Sequence, residues 1–246
     1  MLENEECPIC RNKGLLDGCP ECGKELNIFN SPERKIDFSE SKVFIPEYYV
    51  NRIWNMEQAL TTLPDDNSMN YYKNFYHKLN YLLNGIQQGK TLHNSAIVSA
   101  PANYSKSVWV YSCIQSLIVQ NKKVVPLIST SEYQRLYNMD VYKPYNNYKY
   151  QDFTIEEYNT ADILFVEIPD DEAYMYAYET VLKIINIRAR FDKPTVFITN
   201  VPISKLIAKD YSGTLIRYIN EGSDGNPYKY LTAIQCEPIK TEEGVQ

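Results

Sequence analysis

The run Ser99-Ala-Pro-Ala-Asn-Tyr-Ser-Lys-Ser-Val-Trp109 decides how this chain is read. A phosphate-binding loop has the form G-x-x-x-x-G-K-[ST]. In that frame Ala100 and Ser105 stand where the glycines belong, Asn103 lies within the loop, and Lys106 and Ser107 fill the last two places. A lysine there neutralises the β- and γ-phosphates of a nucleotide, and the hydroxyl ligates Mg²⁺. The alternative is an ordinary Lys-Ser pair at a helix start. Glycine permits positive φ and lets backbone N–H groups approach a phosphate. A side chain in the left-handed region costs about 1–2 kcal/mol. Two such replacements are expected to weaken ATP binding or to reshape the loop. Pro101 also lacks an N–H.

The surroundings of this run alternate. SAIVSA reads as a strand before the loop, and residues 105–120 as a helix after it. KKVVPLIS, ADILFVEI, PTVFITN and KYLTAIQCEP read as further strands. SEYQRLYNM, residues 172–191 and two short later segments read as helices between them. This order predicts an α/β fold, a parallel sheet covered by helices on both faces. Ligands of such sheets sit at the carboxyl ends of the strands, where the loop belongs. Upstream, Pro46 is placed to start one short amphipathic helix. Apolar residues at 69, 72, 75, 76, 79, 82, 83 and 86 predict a long helix that Gly89 ends.

Several of these stretches together resemble one family. The loop, the strand ADILFVEI and the run IRARFDKPTVFITNVP are similar to the nucleotide loop, Walker B strand and sensor strand of DnaC/DnaI-type replicative helicase loaders and the related IstB-type ATPases. The upstream IPEYY also fits, as does a cysteine-rich N-terminal segment. The resemblance implies an AAA+ core over residues 91–240, preceded by helices over 41–90. It implies ATP or ADP with Mg²⁺ as ligand, and a hexameric replicative helicase and single-stranded DNA as partners. It also allows a homo-oligomer, though the sequence does not give the oligomeric state. Glu167 would take the metal-side acid of the Walker B strand. Ile168 stands where the family has the acid that activates water, so hydrolysis is expected to be impaired or lost. Asp170 and Asp171 lie beyond Pro169 and would need a shifted loop to take that acid's place; the simpler reading is that they cap the next helix, where negative charge is favourable. Asn200 matches the sensor position, or is a turn residue before Pro202. Arg217 stands where the family has an arginine that reaches a neighbour's nucleotide; Arg188 and Arg190 are alternatives, and all three also read as surface charges.

Four cysteines fall in CPICRNKGLLDGCPEC: Cys7, Cys10, Cys19 and Cys22. Two C-x2-C knuckles can place four thiolates around Zn²⁺. A segment of this size has too little core to fold unaided, and structural zinc supplies the missing stability. Four thiolates leave no open position, so the zinc expected over residues 1–40 is structural. A cytosolic setting disfavours the disulfide alternative. Cys113 and Cys236 lie in apolar patterns and read as core thiols.

The net charge of −6 argues against a generally basic nucleic-acid coat. No apolar run is long enough to cross a membrane, and the acidic N-terminus is no signal peptide. A cytoplasmic protein is expected. Tyrosine is abundant, with 22 residues. Together with many asparagines this usage often accompanies AT-rich coding DNA, as in firmicutes and their phages. Tyr142, Tyr145, Tyr148 and Tyr150 alternate with Lys143 and Lys149 and could stack single-stranded bases; a plain surface loop is the simpler reading. Three functions compete: a helicase loader, an adaptor that keeps the AAA+ fold as a scaffold, and a zinc-ribbon DNA-binding regulator.

Overall fold

The computed structural model describes residues 41–236, apart from 51, 53, 62–68, 91, 103, 142–152, 171–173 and 221–224. Five parallel strands form one sheet: β1 (Ser95–Ser99), β2 (Ile128–Ser129), β3 (Leu164–Ile168), β4 (Thr195–Thr199) and β5 (Leu231–Gln235), in the order β2-β3-β4-β1-β5. β1 is an interior strand buried along its whole length, which fits the apolar run Ala96-Ile-Val98 at its middle. β2 is an edge strand of two residues where a longer strand is expected. Pro126 precedes it and cannot donate to the ladder.

Helices cover both faces. α1 (Glu47–Val50), α2 (Met56–Thr61), α3 (Met69–Gln87) and α4 (Lys106–Val119) lie on one side. There Trp54, Phe75, Tyr76, Leu79 and Trp109 pack with Val98, Phe165, Ile198 and Ile234 of the strands. The Trp109 indole donates to the Leu79 carbonyl at 2.9 Å and so ties α4 to α3. α5 (Thr130–Val141), α6 (Ile155–Thr160), α7 (Tyr174–Ala189), α8 (Ile203–Ile207) and α9 (Thr214–Asn220) lie on the other. Their core includes Tyr133, Ile184 and Leu206 against Ile97, Val166, Ile168 and Phe197. Alternation along β3 therefore sends Phe165 to one core and Val166 to the other.

Two expectations need correction. Pro46 begins not one helix but two short ones. Between them the Trp54 N–H donates to Ser112 Oγ at 2.8 Å, and Asn55 Oδ1 accepts from the Glu57 and Gln58 N–H groups to cap the second. α6 was absent from the sequence reading. It carries a capping box in which Thr154 Oγ1 accepts from the Glu157 N–H while the Glu157 carboxylate accepts from the Thr154 N–H.

Among the described residues, no helix is long and apolar enough to cross a membrane. Cys7, Cys10, Cys19, Cys22 and the Tyr142–Tyr150 loop lie outside the described residues. Cys113 and Cys236 are both buried and unpaired.

Candidate functional site

The chain leaves β1 at Ala100 and enters α4 at Lys106. Ser105 precedes the helix with φ 54° and ψ 17°, the left-handed conformation. A loop glycine would hold this φ without strain. Ser105 keeps the geometry and carries the steric penalty. Ala100 does not have a positive φ. It is buried in the core on the α4 side. The expectation that both replaced glycines force a strained backbone is corrected: the strain sits at Ser105 alone. Asn103 lies outside the described residues.

Lys106 is only 7% exposed. Its Nζ donates to the Ala100 and Pro101 carbonyls, each at 2.6 Å. The lysine thus lies along its own loop and satisfies two loop carbonyls. Burial lowers its pKa from 10.5 to about 8, while Asp170 and Glu167 act in the opposite direction. Ser107, one residue on, is exposed. No side chain caps α4, so the N–H groups of its first turn lack a side-chain acceptor. Tyr104 tilts against Tyr72 of α3 at 5.4 Å between ring centroids.

Glu167 is exposed near the end of β3, paired in register with Ser129 on one side and Ile198 on the other. Alternation places it on the α4 face, where its charge raises the Tyr111 pKa after burial does. Ile168 points to the opposite core with Val166 and Ile184. An acid there would be buried without a partner. Asn200 follows β4, and its Nδ2 donates to Asp170 Oδ2 at 2.7 Å. Asp170 thus has Asn200 as a partner, and the residues between it and α7 lie outside those described. Asp171 lies outside the described residues. Ala100, Lys106, Glu167, Asp170 and Asn200 thus gather at the carboxyl ends of β1, β3 and β4. The sequence offered Asp170 as an acid just past the β3 end but not its contact with Asn200.

Arg217 is exposed on α9, beside Ser212, Gly213 and Ile216 in a shallow recess. No hydrogen bond or ion pair joins it to the loop among the described residues. Arg190 is exposed too. Arg188 is not a surface charge: it is 0% exposed. Its Nε donates to Thr195 Oγ1, and its two terminal nitrogens donate to the Tyr158, Asn159, Ala161 and Pro194 carbonyls at 2.6–2.9 Å. Burial lowers its pKa. It cannot reach a neighbouring subunit. It joins the end of α7 to the start of β4 and to the turn before β3.

Fold and site define a parallel α/β protein with a phosphate-loop-like turn at the end of the interior strand β1. No family model matches the chain, and no curated protein matches it significantly. Among solved structures it is similar to the DnaC helicase loader, at 12% identity and TM-score 0.46, over 78% of this chain and 99% of that one. It is similar to DnaI at 12% identity and TM-score 0.46, over 80% and 93%. A third likeness is to the replication initiator DnaA bound to AMPPCP and single-stranded DNA, at 13% identity and TM-score 0.43, over 75% of this chain and 51% of that one.

Proposed function

We propose that this chain is a helicase-loader-like DNA replication protein: an AAA+-type nucleotide module that binds a hexameric replicative helicase and helps place it on single-stranded DNA. The observation that carries the nucleotide part is Lys106, held at the head of an uncapped helix beside Glu167 and the Asn200–Asp170 pair. A buried ammonium and free N–H groups at a helix N-terminus suit a phosphate. Oxygen donors at Ser107 and Glu167 suit Mg²⁺. Those residues fit ATP or ADP with Mg²⁺. The replication part is supported by the resemblance of the loop, the β3 strand and the run ending in Thr199-Asn200 to helicase loaders. Zinc at Cys7, Cys10, Cys19 and Cys22 would build a helicase-contacting module over residues 1–40. The helices of 41–90 would join it to a nucleotide domain over 91–240. Arg217 is the surface arginine available to a neighbouring copy.

A second reading has its own observation. Lys106 already has partners in Ala100 and Pro101, so the empty loop is closed upon itself. A scaffold that no longer takes nucleotide would look the same.

Calorimetry of ATP and ADP with Mg²⁺ on the zinc-loaded full chain separates the two. Nucleotide must draw Lys106 away from the carbonyls, and phosphate must raise the proton affinity of a group whose pKa is about 8. Binding at pH 8 is therefore expected to take up a fraction of a proton per site, seen as a dependence of the heat on the buffer's ionisation enthalpy. Lys106→Ala should lose both the binding and the proton uptake. No binding at millimolar ATP would establish the scaffold reading. Zinc content of the full chain, and its loss on replacing Cys7 and Cys19 by Ser, tests the metal module.

A further inference from the structure

We propose that the outer face of α3 is a binding surface for single-stranded DNA, with Tyr81 as its stacking platform. The inference deepens the reading of this chain as a protein that meets single-stranded DNA, and rests on it. Three observations carry it.

The first is charge. The chain has more acids than bases, 31 against 25, yet no aspartate or glutamate occurs between Asp66 and Glu132. α3 lies inside this stretch, and none of its 19 residues is an acid. Even its first turn lacks the acid that a helix N-terminus favours. Lys73 and Lys78 stand exposed on it, and Lys90 follows its end. None of these three ammonium groups has a hydrogen bond or ion pair among the described residues. α2, α4 and β5 pack against α3, and together they bring one acid, Glu57. A cationic strip on an acidic protein fits a polyanion.

Tyr81 supplies the second observation. It is 79% exposed, in the middle of this face. Its neighbours one turn earlier are His77 and Lys78, and one turn later Asn84 and Gly85. A helical side chain leans toward the N-terminus and covers the turn before it. A side chain at 85 would therefore lie against Tyr81, and glycine leaves the ring open. A Cβ at Gly85 would meet nothing within 4 Å. Packing does not require this glycine, although glycine is costly inside a helix. An uncovered ring among lysines suits an unpaired base.

The third observation is the division of α3. Its inner face, with Phe75, Tyr76, Leu79 and Leu83, is buried and holds the helix in place. The outer face is left to carry poor helix formers. Asn74 and Asn84 are exposed there. Their side-chain amides have no partner among the described residues and offer donors and acceptors to base edges. The strip begins beside the loop, where Tyr72 meets Tyr104. It ends where Gln120 of the α4 terminus donates to the Ile86 and Gln87 carbonyls. An acidic protein segment would engage the lysines but leave the open ring unused.

Fluorescence anisotropy of a labelled oligothymidylate with the zinc-loaded full chain, with and without ATP, tests the surface. Tyr81→Ala should weaken binding about 5-fold or more, and Tyr81→Phe should bind as the wild type does. Replacing Lys73 and Lys78 by Gln should weaken binding and lower the slope of log affinity against log salt by about 0.7 for each lysine. The same change at Lys205 and Lys209, exposed on the other side of the sheet, should alter neither. Melting temperatures of all these variants should match the wild type. Equal binding by the wild type and the α3 variants overturns the proposal and leaves the reading of a DNA-binding chain intact. Polyglutamate that displaces the oligothymidylate as readily as an unlabelled oligonucleotide does also overturns it, in favour of an acidic protein partner. A wild-type chain that binds no single-stranded DNA at low salt removes that reading, and this surface with it.

Discussion

Ser105 holds φ at 54° with a side chain attached. The left-handed region costs a non-glycine residue about 1–2 kcal/mol, and nothing in its side chain offsets this by capping α4. Ser105→Gly is therefore expected to stabilise the protein by up to about 1 kcal/mol, since glycine's greater freedom in the unfolded chain takes back part of the relief. Ala100→Gly has no such relief and should destabilise it, through backbone entropy and a lost core methyl. Denaturant midpoints of the two variants give the comparison. Residue identities were legible in the loop, but their conformations were not. The frame G-x-x-x-x-G-K-[ST] treats its two glycines alike, whereas only one of their positions here bends left. Charge misled in a similar way at Arg188. A sequence shows that an arginine is present, and not that four carbonyls and a hydroxyl surround it. The Asn200–Asp170 contact was hidden for a different reason. It joins residues 30 apart that only strand pairing brings together.

Elements with long apolar runs were readable, because burial on both faces leaves a strand little choice of residue. β1, β3 and β4 carry such runs, whereas β5, at the sheet edge, is only partly buried. The long helix before β1 showed its period and its stop, and Gly89 does adopt φ 70°. Short elements were harder to read. α6 has six residues, too few for a period, yet its capping box was written in the sequence as Thr154-Ile-Glu-Glu157. This cap holds the turn that enters β3, and Arg188 reads the carbonyls at that helix's end. Thr154→Ala is expected to cost about 1 kcal/mol, seen as a lower denaturant midpoint with an unchanged slope. An equal midpoint would mean that tertiary contacts alone hold α6.

Across the whole molecule, the two cores are divided by one sheet, and α1 to α3 supply much of the covering on the α4 side. Removing residues 41–90 would expose Trp109, Val98 and Ile234 to water at once. Such a truncated chain is expected to lose cooperative melting and bind hydrophobic dye, where a separable appendage would leave both unchanged. The division also explains why the site lies where it does. β1 sits between β4 and β5, while its own crossover through α4 leads to the far edge. The chain therefore parts at the end of β1, and a cleft opens at such a point in a parallel sheet.

The interior place of β1, between β4 and β5, has a consequence in time. Ser95 donates to the Tyr228 carbonyl 133 positions away, and the Thr195 N–H donates to Ser95 Oγ across 100. During synthesis the first strand emerges long before either neighbour exists. Its apolar surface must wait, together with the whole of α4, until the last strand has left the ribosome. Contacts this distant along the chain slow folding, and the waiting surface is prone to aggregate. A ribosome stalled before Leu231 would carry an unfinished sheet in which β1 is already made and still lacks one of its two neighbours.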